Sequence, residues 1–252
     1  FGRDLIKRKK IDWKQYFDNL SSQNLTESYK VNGFLDAKLV SKIRYIVREI
    51  IQNNKFKTIY DCGCGDGSVT GKLVNRKRNI VGIDFSSNMC KKAAEKGIKT
   101  FQLEMQELAK VSFANIFKDK NLVESKENCL VFCESLGCLD NPLKVVEGIL
   151  IKNKNLNAIL LSFPNNNSII RKIVNLLHKN EINYFSLDTL KKNLSQLSFN
   201  VYSEIYIIGI PFVYFFYLNI KIQNKFLLKF IKIFASNFGL NIVVLLKKNK
   251  KR

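Results

Sequence analysis

The chain contains three closely spaced glycines directly after a short apolar stretch. Such a pattern is typical of a turn that binds a ligand. Asp61 is followed by a glycine at every second position, namely Gly63, Gly65 and Gly67. Glycine allows a backbone to turn tightly and to approach a ligand where any Cβ would collide. A helix is predicted directly after the turn, over residues 68–76. Its free N–H groups and positive dipole end would favour an anionic or carboxylate-bearing ligand.

The glycine spacing distinguishes two classes of nucleotide cofactor. A dinucleotide fingerprint needs glycine at the sixth position counted from its first glycine, and Ser68 stands there when counting starts at Gly63. A second apolar strand ends in Asp84, where a carboxylate can accept hydrogen bonds from both hydroxyls of a ribose. Together the two motifs predict a nucleoside cofactor that is not a dinucleotide. An ordinary tight strand-to-helix corner is the alternative.

The same residues resemble motif I of the class I S-adenosylmethionine (SAM)-dependent methyltransferases, whose usual form is Asp-x-Gly-Cys-Gly-x-Gly. Even the cysteine of that form is present, as Cys64. The resemblance implies SAM as cofactor, S-adenosylhomocysteine as its product, and Asp84 as the ribose ligand. It also implies a cofactor site to which the turn contributes Asp61, Gly63, Cys64, Gly65 and Gly67.

Residues near the second and third strand ends complete the cofactor site that the resemblance implies. In such enzymes an acid after the third strand binds the adenine amino group, and the next backbone N–H meets a ring nitrogen. Glu104 and Met105 occupy these positions, with glutamate replacing the commoner aspartate. A solvated strand-end acid is the alternative for Glu104. Phe85 is placed to pack on the adenine or in the core, and Met89 near the start of the next helix is assigned to the same site.

The segment after the fourth strand is similar to the small-molecule methyltransferases of quinone biosynthesis. Glu134, Leu136 and Pro142 match that group's Glu-Val-Leu-Glu-His-Val-Pro-Asp-Pro, whereas Cys138 stands in place of its histidine. The resemblance covers about residues 56–205. It is specific for the cofactor half and not for the acceptor. We expect SN2 transfer of the methyl group to an O, N or C of a small, apolar or amphiphilic molecule.

Glu134 and His178 are the candidate general bases. Glu134 is placed by the motif and is assigned to the cofactor site as well. His178 is the single histidine of the chain and lies at the edge of an apolar helix face, where a packed or surface histidine is the alternative. Alignment of donor and acceptor in a dry site can supply about 7–11 kcal/mol, so a protein base is optional.

The formal net charge of +21, from 42 basic and 21 acidic side chains, suggests nucleic acid or an anionic membrane as a partner. Most of the excess is lysine, whereas nucleic-acid sites favour arginine. Glu134-Ser-Leu-Gly also replaces the (Asp/Asn)-Pro-Pro-(Tyr/Phe) of amino-directed DNA and RNA methyltransferases. We therefore expect no nucleic-acid substrate. An RNA-directed methyltransferase, or a non-catalytic SAM- or RNA-binding module, is the alternative.

The cysteine pattern bears on metal binding and on cellular location. Cys129, Cys133 and Cys138 are separated by three and then four residues, and there is no Cys-x-x-Cys pair. This spacing does not fit a zinc site, so we expect that no metal is bound. We also expect the cysteines to be reduced thiols in a cytoplasmic protein. The chain begins with Phe1, which suggests a trimmed N-terminus, and no signal peptide is visible.

Alternating strands and helices are predicted to position these motifs. Nearly continuous apolar strands in such an alternation indicate an α/β, doubly wound, Rossmann-like fold with a seven-stranded, mostly parallel sheet and helices on both faces. The acids would then meet at the carboxyl edge of the sheet. The strands are predicted at 57–61, 79–84, 98–103, 128–133 and 157–163, with helices at 68–76, 87–96, 107–117, 142–151 and 168–179.

The composition divides the chain into a cap and a catalytic domain. Residues 1–35 are predicted to form an N-terminal helical cap, which could fold over a cofactor or dock loosely. Residues 36–252 would form the methyltransferase domain. This domain would contain an aromatic and basic insertion, residues 206–238, before the last strand, and a basic tail over residues 247–252.

The insertion is the predicted acceptor cap. Its rings would line an apolar acceptor pocket, and its basic amphipathic part could bring the protein to a membrane surface. An ordinary cap helix over the core is the alternative. The predicted substrate-binding residues are Phe212, Phe215 and Phe216, and the predicted membrane-facing residues are Lys225, Lys229 and Lys232.

Overall fold

The computed structural model describes residues 12–22, 37–75, 77–123, 125–169, 172, 185–197, 199, 201–208, 218–219 and 239–248. Its strands are β1 (Thr58–Cys62), β2 (Asn79–Asp84), β3 (Lys99–Gln102), β4 (Asn128–Cys133), β5 (Ala158–Pro164), β6 (Val201–Ile208), β7 (Leu218–Asn219) and β8 (Asn241–Lys247). Its α-helices are α1 (Trp13–Ser22), α2 (Ala37–Asn53), α3 (Ser87–Glu95), α4 (Met105–Leu108), α5 (Phe113–Phe117), α6 (Lys120–Val123), α7 (Pro142–Lys152) and α8 (Leu187–Ser195).

The strands form one sheet in the order β3-β2-β1-β4-β5-β8-β6-β7. Strands β1 to β5 pair in parallel, and β8 runs antiparallel between β5 and β6. The predicted α/β, Rossmann-like fold with a mostly parallel sheet is therefore confirmed, and the first five strands agree with prediction to within one residue at each end. The described sheet has eight strands instead of seven because the two-residue strand β7 pairs with Tyr206 and Ile207 of β6.

Alternating strand residues support a core on each face of the sheet. Tyr60, Leu130 and Leu161 face the side covered by α7 and α8, whereas Ile59 and Val131 face the side covered by α2. This alternation is the two-residue period of a strand that is buried on both faces. Helices therefore lie on both faces, as predicted. None of the helices in the described ranges is long and apolar enough to cross a membrane.

The prediction of a helix over residues 68–76 is wrong, because no α-helix forms in the described part of that range. Three turn residues follow the glycines, and only a 3₁₀ turn, Gly71–Leu73, forms there. The Thr70 hydroxyl is held by Asp61 at 2.7 Å, and the side chain of Asp66 accepts the N–H of Ser68 at 3.0 Å. These bonds favour turns over a helix, and glycine at position 71 further weakens a helix by about 1 kcal/mol relative to alanine.

The helix predicted over residues 107–117 is split into α4 and α5. The break is stabilised by Asn153, whose side-chain oxygen accepts the N–H of Phe113 at 2.6 Å and so takes up a donor at the start of α5. The predicted helix 168–179 lies largely outside the described residues. Strand β6 extends to Ile208, so the first three residues of the predicted insertion, 206–208, belong to that strand. Most of the insertion lies outside the described residues.

Candidate functional site

One cavity lies at the carboxyl ends of the parallel strands, where the motif residues were expected to meet. It extends from the loops after β1 to β3 to the ends of β4 and β5, beneath α1 and beside α2. Its walls are formed by Trp13, Phe17, Val40, Arg44, Gly63, Cys64, Gly65, Asp66, Ser68, Val69, Asp84, Phe85, Met89, Leu103, Met105, Cys133, Glu134, Ser135, Gly137, Cys138, Ser162 and Pro164.

The three glycines of the turn have different structural roles. All three have positive φ, but only Gly65 leaves open space, since an added Cβ would meet no heavy atom within 4 Å. A Cβ on Gly63 would lie 2.4 Å from the Cβ of Ser135, and one on Gly67 would lie 2.7 Å from Ile98. Gly63 and Gly67 are therefore required by packing within the protein. Gly65, which lines the cavity, is the glycine that admits a ligand.

Asp84, at the end of β2, holds the glycine turn in place. Its carboxylate accepts the backbone N–H of Gly65 at 2.9 Å and that of Ser86 at 3.0 Å. The side chain is nearly buried, yet it lines the cavity. A carboxylate oxygen can accept more than one hydrogen bond, so both oxygens can also accept from ribose hydroxyls.

Aromatic rings from α1 cover the cavity. Trp13 stacks on Phe17 with ring centroids 6.0 Å apart, and Phe17 meets Phe85 edge to face at 5.9 Å. Phe85 lies in the loop after β2, and the side-chain amide of Gln102 donates to its carbonyl at 3.1 Å. Of the two alternatives for the N-terminal segment, the structure therefore favours a helix folded over the cavity. The two α1 rings add apolar surface to a cavity wall that the motif residues alone do not complete.

Asp61 lies beneath the glycine turn and does not line the cavity. It is 1% exposed, and the Thr70 hydroxyl donates to its Oδ2 at 2.7 Å. Burial raises the pKa of Asp61 to about 6, although the Thr70 hydrogen bond acts in the opposite direction. The acid of motif I is thus placed to shape the loop, with Thr70 as its partner.

We expect this buried carboxyl group to make stability depend on pH. Because its folded pKa is raised from 3.8 to about 6, its contribution to stability is fully present below pH 3.8 and is lost as pH rises through about 6. The loss should be about 2–3 kcal/mol. In Asp61→Asn, the free energy of unfolding measured with urea should fall less between pH 4.5 and pH 7.5 than in the wild type. Parallel pH profiles for the two proteins would contradict this account.

Glu134 follows β4 in a left-handed backbone conformation, with φ of 60°. Its N–H donates to the Ser162 hydroxyl at 2.8 Å, and that hydroxyl donates back to its carboxylate at 2.7 Å. The Asn241 amide of β8 donates to the same carboxylate at 3.3 Å. Non-glycine residues in this conformation persist only where their surroundings hold them, and they are common at functional sites. Glu134 is therefore a fixed carboxylate on the cavity wall.

The charges of the cavity are unequal. Three carboxylates line it, from Asp66, Asp84 and Glu134, whereas Arg44 of α2 is the single basic side chain among the described lining residues. Asp66 is compensated by Lys96 at 2.8 Å. The cavity thus offers carboxylates for hydroxyl or cationic groups and one guanidinium for a carboxylate.

The cysteines of the cavity wall are poor nucleophiles. Burial raises the pKa of Cys138 to about 12 and also raises the pKa of Cys133, with nearby carboxylates acting in the same direction. Both groups are therefore neutral thiols near pH 7, and a thiol is much less reactive than a thiolate. All six cysteines are free thiols. Within the described ranges, no three His, Cys, Asp or Glu side chains come together as a metal site would require.

The structure brings most of the predicted cofactor residues together. Three others do not line the cavity: Asp61 and Gly67 serve the loop, and Glu104 is an exposed residue directly before α4. His178 and the three predicted substrate residues, Phe212, Phe215 and Phe216, lie outside the described residues, so these assignments stay predictions. The cavity contains Gly63, Cys64, Gly65, Asp84, Phe85, Met89, Met105 and Glu134 from the predicted set.

Several site residues were missed from the sequence. Arg44 interrupts the apolar face of α2 one turn after Val40, and a charged residue beside that face was a usable signal. Ser162 and Asn241 reach Glu134 from 28 and 107 residues away. Pairing over such distances has no local signal in the sequence.

Comparison with known proteins shows where the family resemblance lies. Residues 59–134 match the family model described as a methyltransferase domain. An uncharacterised methyltransferase of Schizosaccharomyces pombe is 32% identical over 93 residues, which are 34% of this chain and 36% of that protein. The match thus spans about a third of the length of this curated relative.

Solved structures share the fold over nearly the whole chain. The magnesium protoporphyrin IX methyltransferase of Synechocystis PCC 6803, crystallised with S-adenosylhomocysteine, has a TM-score of 0.58 at 12% identity and covers 95% of this chain and 100% of its own. A plantazolicin methyltransferase has a TM-score of 0.56 at 16% identity and covers 94% of each chain. These identities support a likeness of fold alone.

The residues present fit SAM. The space beside Gly65 is a cradle that a Cβ would fill, and the carboxylate oxygens of Asp84 would accept hydrogen bonds from a ribose. Phe85 and Met105 would provide apolar contact for the adenine, and Arg44 would hold the carboxylate of the methionine portion. The matched segment contains the glycine turn and the ends of the first, second and fourth strands. Residues 59–134, which match a methyltransferase domain, are thus set in a fold shared with solved methyltransferases crystallised with S-adenosylhomocysteine.

Proposed function

We propose that the protein methylates an O, N or C atom of a small, apolar or amphiphilic molecule by an SN2 reaction. The observation that carries this proposal is the form of the cavity: the cofactor cradle continues beneath the aromatic rings of Trp13 and Phe17 to the ends of β4 and β5. An enclosed apolar wall with a few fixed polar groups is typical of small-molecule sites. The solved relatives named for magnesium protoporphyrin IX and plantazolicin are consistent with such an acceptor.

The acceptor would bind at the β4 and β5 end of the cavity. Asp84, Phe85 and Met105 occupy the end near β2 and β3, where the nucleoside portion fits. Glu134 and Pro164 line the opposite end. When bound, SAM supplies an electrophilic methyl group on a positively charged sulfur. The chain would contribute by aligning the two reactants and excluding water, an effect worth up to about 7–11 kcal/mol.

Glu134 would accept a proton or a hydrogen bond from the nucleophile or from the cofactor's ammonium group. Its carboxylate is fixed by Ser162 and Asn241, so little side-chain entropy would be lost on binding. A group that is already oriented is better placed for proton transfer than a mobile surface acid. This role agrees with its predicted place in both the catalytic and the cofactor sets.

A metabolite screen tests the proposed function. Incubation of the protein with SAM and a small-molecule extract should give products heavier by one CH2, identified by mass spectrometry. Glu134→Gln keeps the shape of the side chain but removes its charge. We expect turnover to fall about 100-fold in this variant, the lower part of the general acid–base range. Methylated RNA, with no methylated small molecule, would overturn the proposal in favour of the RNA-directed alternative, which the net charge of +21 supports.

The expected role of the insertion belongs to the same proposal. Phe212, Phe215 and Phe216 would complete the acceptor pocket, and the lysines that follow would bring the protein to an anionic membrane surface from the cytoplasm. This expectation is supported by the position of the insertion in the sequence, between β6 and β8. Strand β8 pairs with β5, and β5 ends at the cavity. The basic face at Lys225, Lys229 and Lys232 fits an anionic surface because each lysine adds about 1 kcal/mol there.

A further inference from the structure

A second concave site lies next to the cofactor cavity, on the other side of Arg44. We call it the basic groove. It lies between α2, the loop after the glycine turn and the end of α3. It shares Val40, Arg44 and Ser68 with the cofactor cavity. Its wall consists of Val40, Ser41, Arg44, Arg48, Gly67, Ser68, Gly71, Lys72 and Lys96.

Four cationic residues, Arg44, Arg48, Lys72 and Lys96, line this groove, and no acidic residue is among its described lining residues. Lys96 is compensated by Asp66, which contacts it at 2.8 Å. Within the described part of the chain, neither Arg48 nor Lys72 is within ion-pair distance of a carboxylate. Like charges held together destabilise the empty site, and an anion that enters relieves this repulsion.

The guanidinium of Arg48 is also partly desolvated. Burial lowers its pKa, and the charge of Arg44 acts in the same direction. Cys133, Glu49 and Tyr45 act on this pKa in the opposite direction. A cation that has already lost part of its hydration gives up less on binding, so it can favour an anion more strongly than a fully exposed lysine can. Arg44 and Arg48 are four residues apart on α2, so their side chains lie on the same helix face.

We propose that the basic groove binds the phosphate group of a small soluble molecule. The Arg48 guanidinium can donate two parallel hydrogen bonds to phosphate oxygens, and the Lys72 ammonium adds a second charge. Arg44, which the groove shares with the cofactor cavity, lies one helical turn from Arg48. The Ser41 and Ser68 hydroxyls, which also line the groove, are further donors.

The shape of the groove favours a small ligand over a nucleic acid or a membrane. A single-stranded nucleic acid is bound along an extended track that includes aromatic side chains for base stacking. The described lining of the groove contains no aromatic residue, and its cationic residues are confined to one concavity. A planar membrane surface would engage protruding cations more readily than cations that line a concavity.

Titration calorimetry at constant ionic strength tests the proposal on the full chain. Inorganic phosphate and glycerol 3-phosphate are the probes, and tighter binding of the ester than of inorganic phosphate would identify an esterified group as the natural ligand. We expect one phosphate per chain. In the double variant Arg48→Gln with Lys72→Gln, the Kd for phosphate should rise about tenfold or more, since each charge-assisted hydrogen bond contributes enough for such a change.

Lys144→Gln with Lys152→Gln is the matched control. These exposed lysines lie on α7, across the sheet from α2, and their loss removes the same number of charges. The control should bind phosphate as the wild type does, and both double variants should retain S-adenosylhomocysteine binding, which shows that they are folded. Equal weakening in both double variants would reduce the effect to net charge and overturn the proposal. The proposal would also be overturned if phosphate failed to bind. A competition experiment gives a further test: if an oligonucleotide or anionic vesicles bind at the groove and phosphate fails to displace them, the proposal is wrong.

Discussion

Gly65→Val is expected to raise the Kd for SAM and S-adenosylhomocysteine by about 10- to 100-fold. Gly65 lines the cavity, and an added Cβ there would meet no heavy atom of the described protein within 4 Å. The new side chain would therefore occupy space that the cofactor needs. Extra methyl groups forced into a filled site cost about 1–3 kcal/mol, and every 1.4 kcal/mol is a factor of ten in affinity.

The backbone conformation of Gly65 requires a control for strain. Its φ is +53°, so any side chain adds about 1–2 kcal/mol of strain whether or not the cofactor is present. Gly97→Val is the matched variant because Gly97 also has a positive φ, +82°, and does not line the cavity. Calorimetry should show wild-type affinity in Gly97→Val. Equal affinity losses in both variants would mean that strain, and not the cradle, explains the effect.

Gly67 provides a contrast within the same turn. A Cβ there would lie 2.7 Å from Ile98 and 3.1 Å from Ala93 of α3, both of which are buried in the core. Substitution of Gly67 should thus act on the free energy of unfolding, whereas substitution of Gly65 should act on cofactor affinity. The three glycines look equivalent in the sequence, and only the packing around each of them separates their roles.

The sequence predicted the sheet well because its signals were local. Each strand is a short apolar run between turns, and the ends of β1, β2 and β4 carry the motif residues. Asp84 and Glu134 could therefore be placed on the cavity wall from strand ends alone. The helix predicted over residues 68–76 failed because two polar contacts compete with it, and one of these joins Thr70 to Asp61 nine residues away.

The parts of the site that the sequence did not predict depend on contacts between distant segments. Asn241 reaches Glu134 only after β8 has inserted between β5 and β6. Trp13 and Phe17 cover the cavity because the ring of Phe17 contacts the ring of Phe85, a residue 68 positions later in the chain. Neither contact is marked by a periodicity or a motif in the sequence. The sequence therefore provided no means of predicting either of them.

Asp84→Ala is expected to affect both cofactor affinity and stability. In the structure, Asp84 is only 8% exposed and accepts the N–H groups of Gly65 and Ser86. Removing the carboxylate should raise the Kd for SAM by about 10- to 150-fold, the equivalent of about 1.5–3 kcal/mol. It should also lower the free energy of unfolding by about 1–3 kcal/mol for each backbone donor left without a partner.

Asp84→Asn separates the two effects. Its amide oxygen can still accept one of the two backbone N–H groups, so stability should fall less than in Asp84→Ala. The second position of the side chain becomes a donor, which cannot accept from a ribose hydroxyl, so affinity should still fall about tenfold. Glu107→Gln removes a carboxylate that pairs with Lys110 at the surface, and it should change neither quantity appreciably. Calorimetry with S-adenosylhomocysteine and urea unfolding measure the two quantities separately, and wild-type affinity in a stable Asp84→Asn would move the ribose site away from the end of β2.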